Sequence, residues 1–255
     1  MALSIRQKAK NYTIYPEIPL NVILPNAVAA NSFLAVLVFA HRTPDSFNVL
    51  YLDAETIAPN VFDDKTDTFT LQDKVVNLSQ ESGTFSPPLS PPIVSPDVSG
   101  YFPSVYVFTA PATVGAQKVT IVDPGNSNAG SPPFAPPIEY GRPVFDGGIE
   151  AVVYEIAKPT SISVDKHAHG TSNETPLVAA LTPTGINEFL LEAAILMDST
   201  ALVPASTATL LDSGSFPAGS SSWVVQGTVQ TAAVAASGFG NPVKYVGGIV
   251  AVALA

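Results

Sequence analysis

Asn31-Ser32-Phe33-Leu34-Ala35-Val36-Leu37-Val38-Phe39-Ala40 and Asn187-Glu188-Phe189-Leu190-Leu191-Glu192-Ala193-Ala194-Ile195-Leu196 both begin Asn-x-Phe-Leu, and both open an apolar run. Each is answered downstream by Gly-Gly-Ile, first in Gly147-Gly148-Ile149-Glu150-Ala151-Val152 and then in Gly247-Gly248-Ile249-Val250-Ala251-Val252. A pattern repeated in this order predicts two related β halves closed by similar strands, since neither sheet segment can bury its apolar face alone. The first interval, 31 to 147, is nearly twice the second, 187 to 247, and proline-rich insertions account for the excess.

The rest of the chain reads the same way. From residue 20 onward, short runs rich in Val, Ile, Phe and Thr alternate with Pro, Gly, Asn and Asp clusters, which is the pattern of strands and turns. The runs predict strands over residues 20–24, 32–41, 48–52, 68–71, 104–109, 117–122, 148–157, 161–164, 177–181, 188–197, 207–211, 222–227, 228–236 and 243–254. Residues 188–197 also carry good helix formers, with Phe189, Ala193 and Leu196 at helical spacing; the likeness to 31–40 decides for a strand. Two stretches, about 86–97 and 124–143, are too rich in proline for central strands and read as long surface loops.

Composition narrows the function. Only 13% of residues are charged, against roughly 25% in ordinary soluble domains, while 46% are hydrophobic. A lightly charged surface rich in hydroxyls suits a protein that meets neighbours over large areas. The net charge of −10 argues against a nucleic-acid-binding body, which needs clustered cations. Arg6, Lys8 and Lys10 nonetheless fall in residues 1–16, which hold no acid. They predict an extended N-terminal arm, residues 1–18, that lies on an acidic neighbouring subunit, with residues 19–255 as the β body. With no cysteine, disulfides, thiolate chemistry and Cys-based metal sites are excluded. The longest apolar runs fall short of the roughly 20 residues of a membrane span. The basic residues near the start are followed by Asn11, Glu17 and three prolines, so no secretory signal is read.

Candidate chemistry is sparse. Asp165-Lys166-His167-Ala168-His169 is the best metal candidate, because alternate residues of an extended segment face one side. It has only His41 and the carboxylates to complete it, and solvated histidines are the plainer reading, so no metal site is assigned. A hydrolase would combine His41 with Ser213 or Ser215, but no glycine precedes Asp212-Ser213-Gly214 and no Gly-x-Ser-x-Gly elbow exists. Asp63, Asp64 and Asp67 read as an acidic turn without the spacing of a calcium loop. Sequons at Asn11, Asn77 and Asn173 are about what chance gives. Trp223, Tyr101, Tyr106, Tyr140 and Tyr245 are the residues from which a sugar-stacking platform could be built, although aromatics in strands more often belong to a core. No catalytic, cofactor-binding or metal residue is assigned.

The runs at 31–40, 108–121, 147–154 and 247–252 together resemble the jelly-roll β-sandwich domains of phage virion and bacterial surface proteins. The likeness spans most of residues 20–255 and is one of pattern. It implies an all-β, jelly-roll-like antiparallel sandwich and no shared active site. The expectation is a non-enzymatic, self-assembling structural protein without cofactor. It would serve as a virion subunit (capsid, decoration or tail) or a surface-appendage subunit, partnered by copies of itself and by other proteins of that assembly. The alternative is a carbohydrate-binding module for surface attachment.

Overall fold

The computed structural model describes residues 3–14, 18–42, 58–76, 102–123, 148–157, 161–172, 176–185, 188–196, 203–204, 208–216, 222–229, 237–242 and 247–255. The expected strand at 48–52 and both proline-rich loops lie outside these residues. So do Asn77, Asn173, Tyr101, Tyr140 and Tyr245. Among the described residues there is no helix long and apolar enough to cross a membrane.

The first half contributes β1 (Ser4–Thr13), β2 (Leu20–Ile23), β3 (Ser32–Arg42), β4 (Asn60–Asp63), β5 (Thr70–Val75), β6 (Phe102–Pro111), β7 (Lys118–Val122) and β8 (Gly148–Ala157). The second contributes β9 (Val164–Ser172), β10 (Pro176–Ala179), β11 (Phe189–Leu196), β12 (Thr209–Ser215), β13 (Ser222–Val229), β14 (Ser237–Pro242) and β15 (Gly247–Leu254). All pairings are antiparallel. One large sheet runs β1-β8-β3-β6-β5 and the other β9-β15-β11-β13-β12. Strand by strand these are the same order. The small sheet β2-β7-β4 has its counterpart in β10-β14, to which an isolated bridge from Pro204 to Phe239 adds the place of β4. Each half is therefore jelly-roll-like in itself, with its first and last strands adjacent and the chain passing between a large and a small sheet at each step except from β5 to β6 and from β12 to β13.

The two large sheets face each other. Phe33, Leu37 and Phe39 of β3, Val152 and Tyr154 of β8, Leu191 and Ile195 of β11, Trp223 of β13 and Val252 of β15 share one buried cluster. The other face of the first large sheet packs on its small sheet through Leu34, Val36, Val38, Val22 and Ile121. The second is covered likewise, with Leu190, Ala194 and Ile249 against Leu177, Ala179 and Phe239. This four-layer stack explains β11. A strand covered on both faces is apolar at consecutive positions, so its helical spacing is incidental, and all eight of its residues are buried.

Three expectations are corrected. Residues 4–13, expected in an arm, form the edge strand β1, paired with β8 from Ser4 opposite Ala157 to Thr13 opposite Ile149. The expected strands at 222–227 and 228–236 begin as one continuous strand, β13. The Gly-Gly-Ile correspondence is two residues out of step with the Asn-x-Phe-Leu one. Phe33 lies opposite Ile156 and Phe189 opposite Leu254, yet Ile149 lies opposite Ala40 and Ile249 opposite Ala194. A slip of two preserves the inward face, since side chains alternate with period two. The glycines also serve different ends: Gly148 has φ +109°, whereas a Cβ on Gly247 would meet Leu196 at 2.6 Å.

Candidate functional site

Among the described residues, the ion pairs that join one half to the other lie at the two edges of the central sandwich. β5 and β12 each carry a bulge at the same place, between Leu71 and Asp73 and between Leu210 and Asp212. A bulge adds an unpaired residue and re-aims the side chains that follow. The sequence around it is shared, Thr70-Leu71-Gln72-Asp73 and Thr209-Leu210-Leu211-Asp212. Each aspartate takes a pair of basic side chains from the first strand of the other half. Lys8 Nζ lies 3.0 Å from Asp212 Oδ2 and Lys10 Nζ 3.0 Å from Asp212 Oδ1, and the two ammoniums also donate to the carbonyls of Leu211 and Ser213. Across the molecule, His167 Nδ1 lies 3.0 Å from Asp73 Oδ2 and His169 Nδ1 2.8 Å from Asp73 Oδ1.

The two clamps are equivalent by register. Lys8 and Lys10 sit opposite Tyr154 and Val152; His167 and His169 sit opposite Val252 and Val250. Those partners stand two and four residues before Ile156 and Leu254, which face the matching Phe33 and Phe189. For Asp212, burial works to raise the carboxyl, but hydrogen bonds from Lys8, Lys10 and the Ser213 amide outweigh it and hold the group below the usual range.

Beside the lysine clamp, Trp223 lies fully buried. It stacks on Phe39 at 4.6 Å between ring centroids and donates its indole N–H to Glu150 Oε2 at 2.7 Å. Lys10 Nζ stands 5.3 Å from the centre of the same ring. Burial pushes the Glu150 carboxyl up, opposed by the Trp223 hydrogen bond and the Lys10 charge. A cavity of about 360 Å³ opens here, lined by Lys10, Tyr12, Ile14, Glu150, Ser215 and Phe216 among others.

The sequence candidates are placed as follows. Trp223 and Tyr106 are buried, so neither offers a stacking face to a sugar. Asp165 does not join the two histidines in a ligand set; it accepts the Thr184 amide at 2.7 Å. Among the described residues no group of three or more His, Asp or Glu is placed to hold a metal ion. Asp63 caps its own turn by accepting the Lys65 and Asp67 amides, both at 2.9 Å. Asp64 accepts the Gln117 amide and Asp67 the Thr113 amide, so this acidic cluster ties β4 to the turn before β7. His41 lies on β3 opposite Gly148, while Ser213 and Ser215 lie on the edge strand β12. Asn11 donates its side-chain amide to the Asn21 carbonyl at 2.8 Å. Sequence reasoning missed Asp73, Asp212 and Glu150; the shared Thr-Leu-x-Asp was the signal for the first two. Comparison with family models, curated proteins and solved structures finds no match to this chain.

Proposed function

We propose that this chain is a non-enzymatic structural subunit that assembles with copies of itself, in a virion or a surface appendage. The observation that carries the reading is the tandem jelly roll: two sandwiches of one strand order, fused through a shared core. Jelly rolls serve as capsid and as lectin domains, and a fused pair fixes the angle between two similar contact surfaces. The asymmetry of the halves adds support. The long connections 43–59, 76–101 and 123–147 belong to the first half, where the second has 216–221 and 243–246 in the last two places. Their anchors Arg42, Phe102 and Gly148 share one end of the large sheet, since Arg42 faces Phe102 and His41 faces Gly148. Connecting segments on a rigid scaffold are where partner contacts concentrate.

A carbohydrate-binding module is the second reading, favoured by the cavity between Tyr12, Phe216 and Glu150. Light scattering on the purified chain over a wide concentration range separates the two, with electron microscopy of any large species. A discrete assembly of uniform size is expected. A monomer at every concentration that binds immobilised glycans would replace this reading with the second. Deleting residues 1–18 is no test, because it removes β1 and its clamp.

A further inference from the structure

The two clamps occupy equivalent places, yet one is built from lysine and the other from histidine. We propose that the His167–Asp73–His169 cluster is a proton-operated latch between the two jelly rolls, closed in mild acid and loosened above neutrality, and that the Lys8–Asp212–Lys10 cluster is its proton-insensitive counterpart.

The argument is one of charge at fixed geometry. Both clusters place two basic nitrogens on the two oxygens of one carboxylate, at 2.8 to 3.0 Å. Alkylammonium groups as a class keep their charge throughout the range in which imidazoles as a class lose theirs, about pH 5 to 8. Protonated imidazoles make two ion pairs with Asp73; neutral ones retain at most an uncharged N–H donor each. Proton binding and closure of this edge are thereby coupled. The contribution is complete when the imidazoles are protonated and is lost as pH rises through their range.

The surroundings leave the cluster in control of that edge. On β9 itself the charged neighbours are Asp165, turned to Thr184, and Lys166, which donates to the Thr182 carbonyl at 2.9 Å. On β5 they are Asp73 and Lys74. The described residues of β15 and β10, which also pack on β9, carry no charge. The histidine side chains are about half exposed, 48% and 58%, so protons reach them without unfolding. Two cations on one carboxylate is an arrangement this fold already holds at the lysine edge.

Hydrogen exchange of the full chain, in EDTA so that the imidazoles bind only protons, reads both edges at once. After correction for intrinsic exchange, amide protection in β5 and β9 is expected to fall about two- to tenfold between about pH 5.5 and about pH 8, the size of weak exposed ion pairs, while β1 and β12 stay level. His167→Lys with His169→Lys is expected to abolish that dependence and keep the edge protected at both pH values. Should the lysine variant fail to fold, His167→Gln with His169→Gln is expected to show at acid pH the low protection that the native chain shows only at alkaline pH. Equal changes at both edges, or a dependence that survives either replacement, would overturn the latch.

Discussion

At the scale of the residue, the halves differ by an exchange of volume. Val105 of β6 faces Val75 of β5, and in the second half the same two places hold Trp223 and Gly214. A Cβ on Gly214 would lie 2.5 Å from the indole ring, so Trp223 fits because its cross-strand neighbour has no side chain. Gly214→Val is expected to cost about 1–3 kcal/mol through overpacking, read as a lower denaturant midpoint. Combining it with Trp223→Val copies the pair of the first half, and the double variant is expected to cost less than the two single changes added together. Strictly additive costs would show that the two positions do not share their space. Little of this was legible in the sequence. An aromatic in a strand suggests a core residue, but nothing in the sequence says what Trp223 packs against, since Gly214 and Glu150 are distant in sequence and ordinary in type.

At the scale of the element, β1 shows why a charged stretch can be a strand. Its even-numbered residues Arg6, Lys8 and Lys10 alternate with Gln7 and Ala9, and such an edge is protected from pairing with another chain by its charges. Composition alone cannot tell that edge from a solvated arm, because both are polar and open to water. The discriminating residue is Glu155 on β8, buried within the sheet. It accepts from the Ser32 hydroxyl, the Gln7 amide at 2.5 Å and the Ala29 backbone at 3.0 Å, with Arg6 3.6 Å away. Burial pushes this carboxyl up, but those donors and the Arg6 charge prevail and hold it below the usual range. A lowered folded value means stability that is present above the ordinary glutamate pKa of about 4.3 and is lost as pH falls through the folded one. Glu155→Gln is therefore expected to destabilise the protein by about 1–3 kcal/mol at neutral pH. The difference should narrow below about pH 4, as urea titrations at several pH values would record. A gap that stays constant into acid would mean that the carboxylate's charge contributes nothing to holding β1.

At the scale of the molecule, the duplication was legible because both halves had to solve one packing problem. Asn-x-Phe-Leu marks the central strand of each large sheet, and a strand covered on both faces leaves a long apolar signature that survives divergence. The equivalence of the edges was not legible in advance, since Thr-Leu-x-Asp is four residues of partly exposed edge strand with no hydrophobic period to announce it. Nor did the sequence distinguish one sandwich with two related sheets from two stacked sandwiches. The continuous apolar runs of β3 and β11 call for cover on both faces, but the small sheets that supply the outer cover are built from strands only a few residues long. The stacking has a thermodynamic consequence. The largest buried cluster belongs to neither half, because Phe39 and Trp223 meet across it, and separating the jelly rolls would expose the inner faces of both large sheets. The two halves are therefore expected to unfold as one cooperative unit despite their duplicated topology. Trp223 is the chain's single tryptophan and sits in that interface, so its fluorescence reports separation while far-ultraviolet circular dichroism reports loss of strand. Coincident transitions in urea are expected for the native chain. In Phe39→Ala, which should cost about 3–5 kcal/mol, both probes are expected to shift together. A fluorescence change that precedes the loss of strand would mean that the halves part first and stay folded, and that the shared core is an interface between two independent domains.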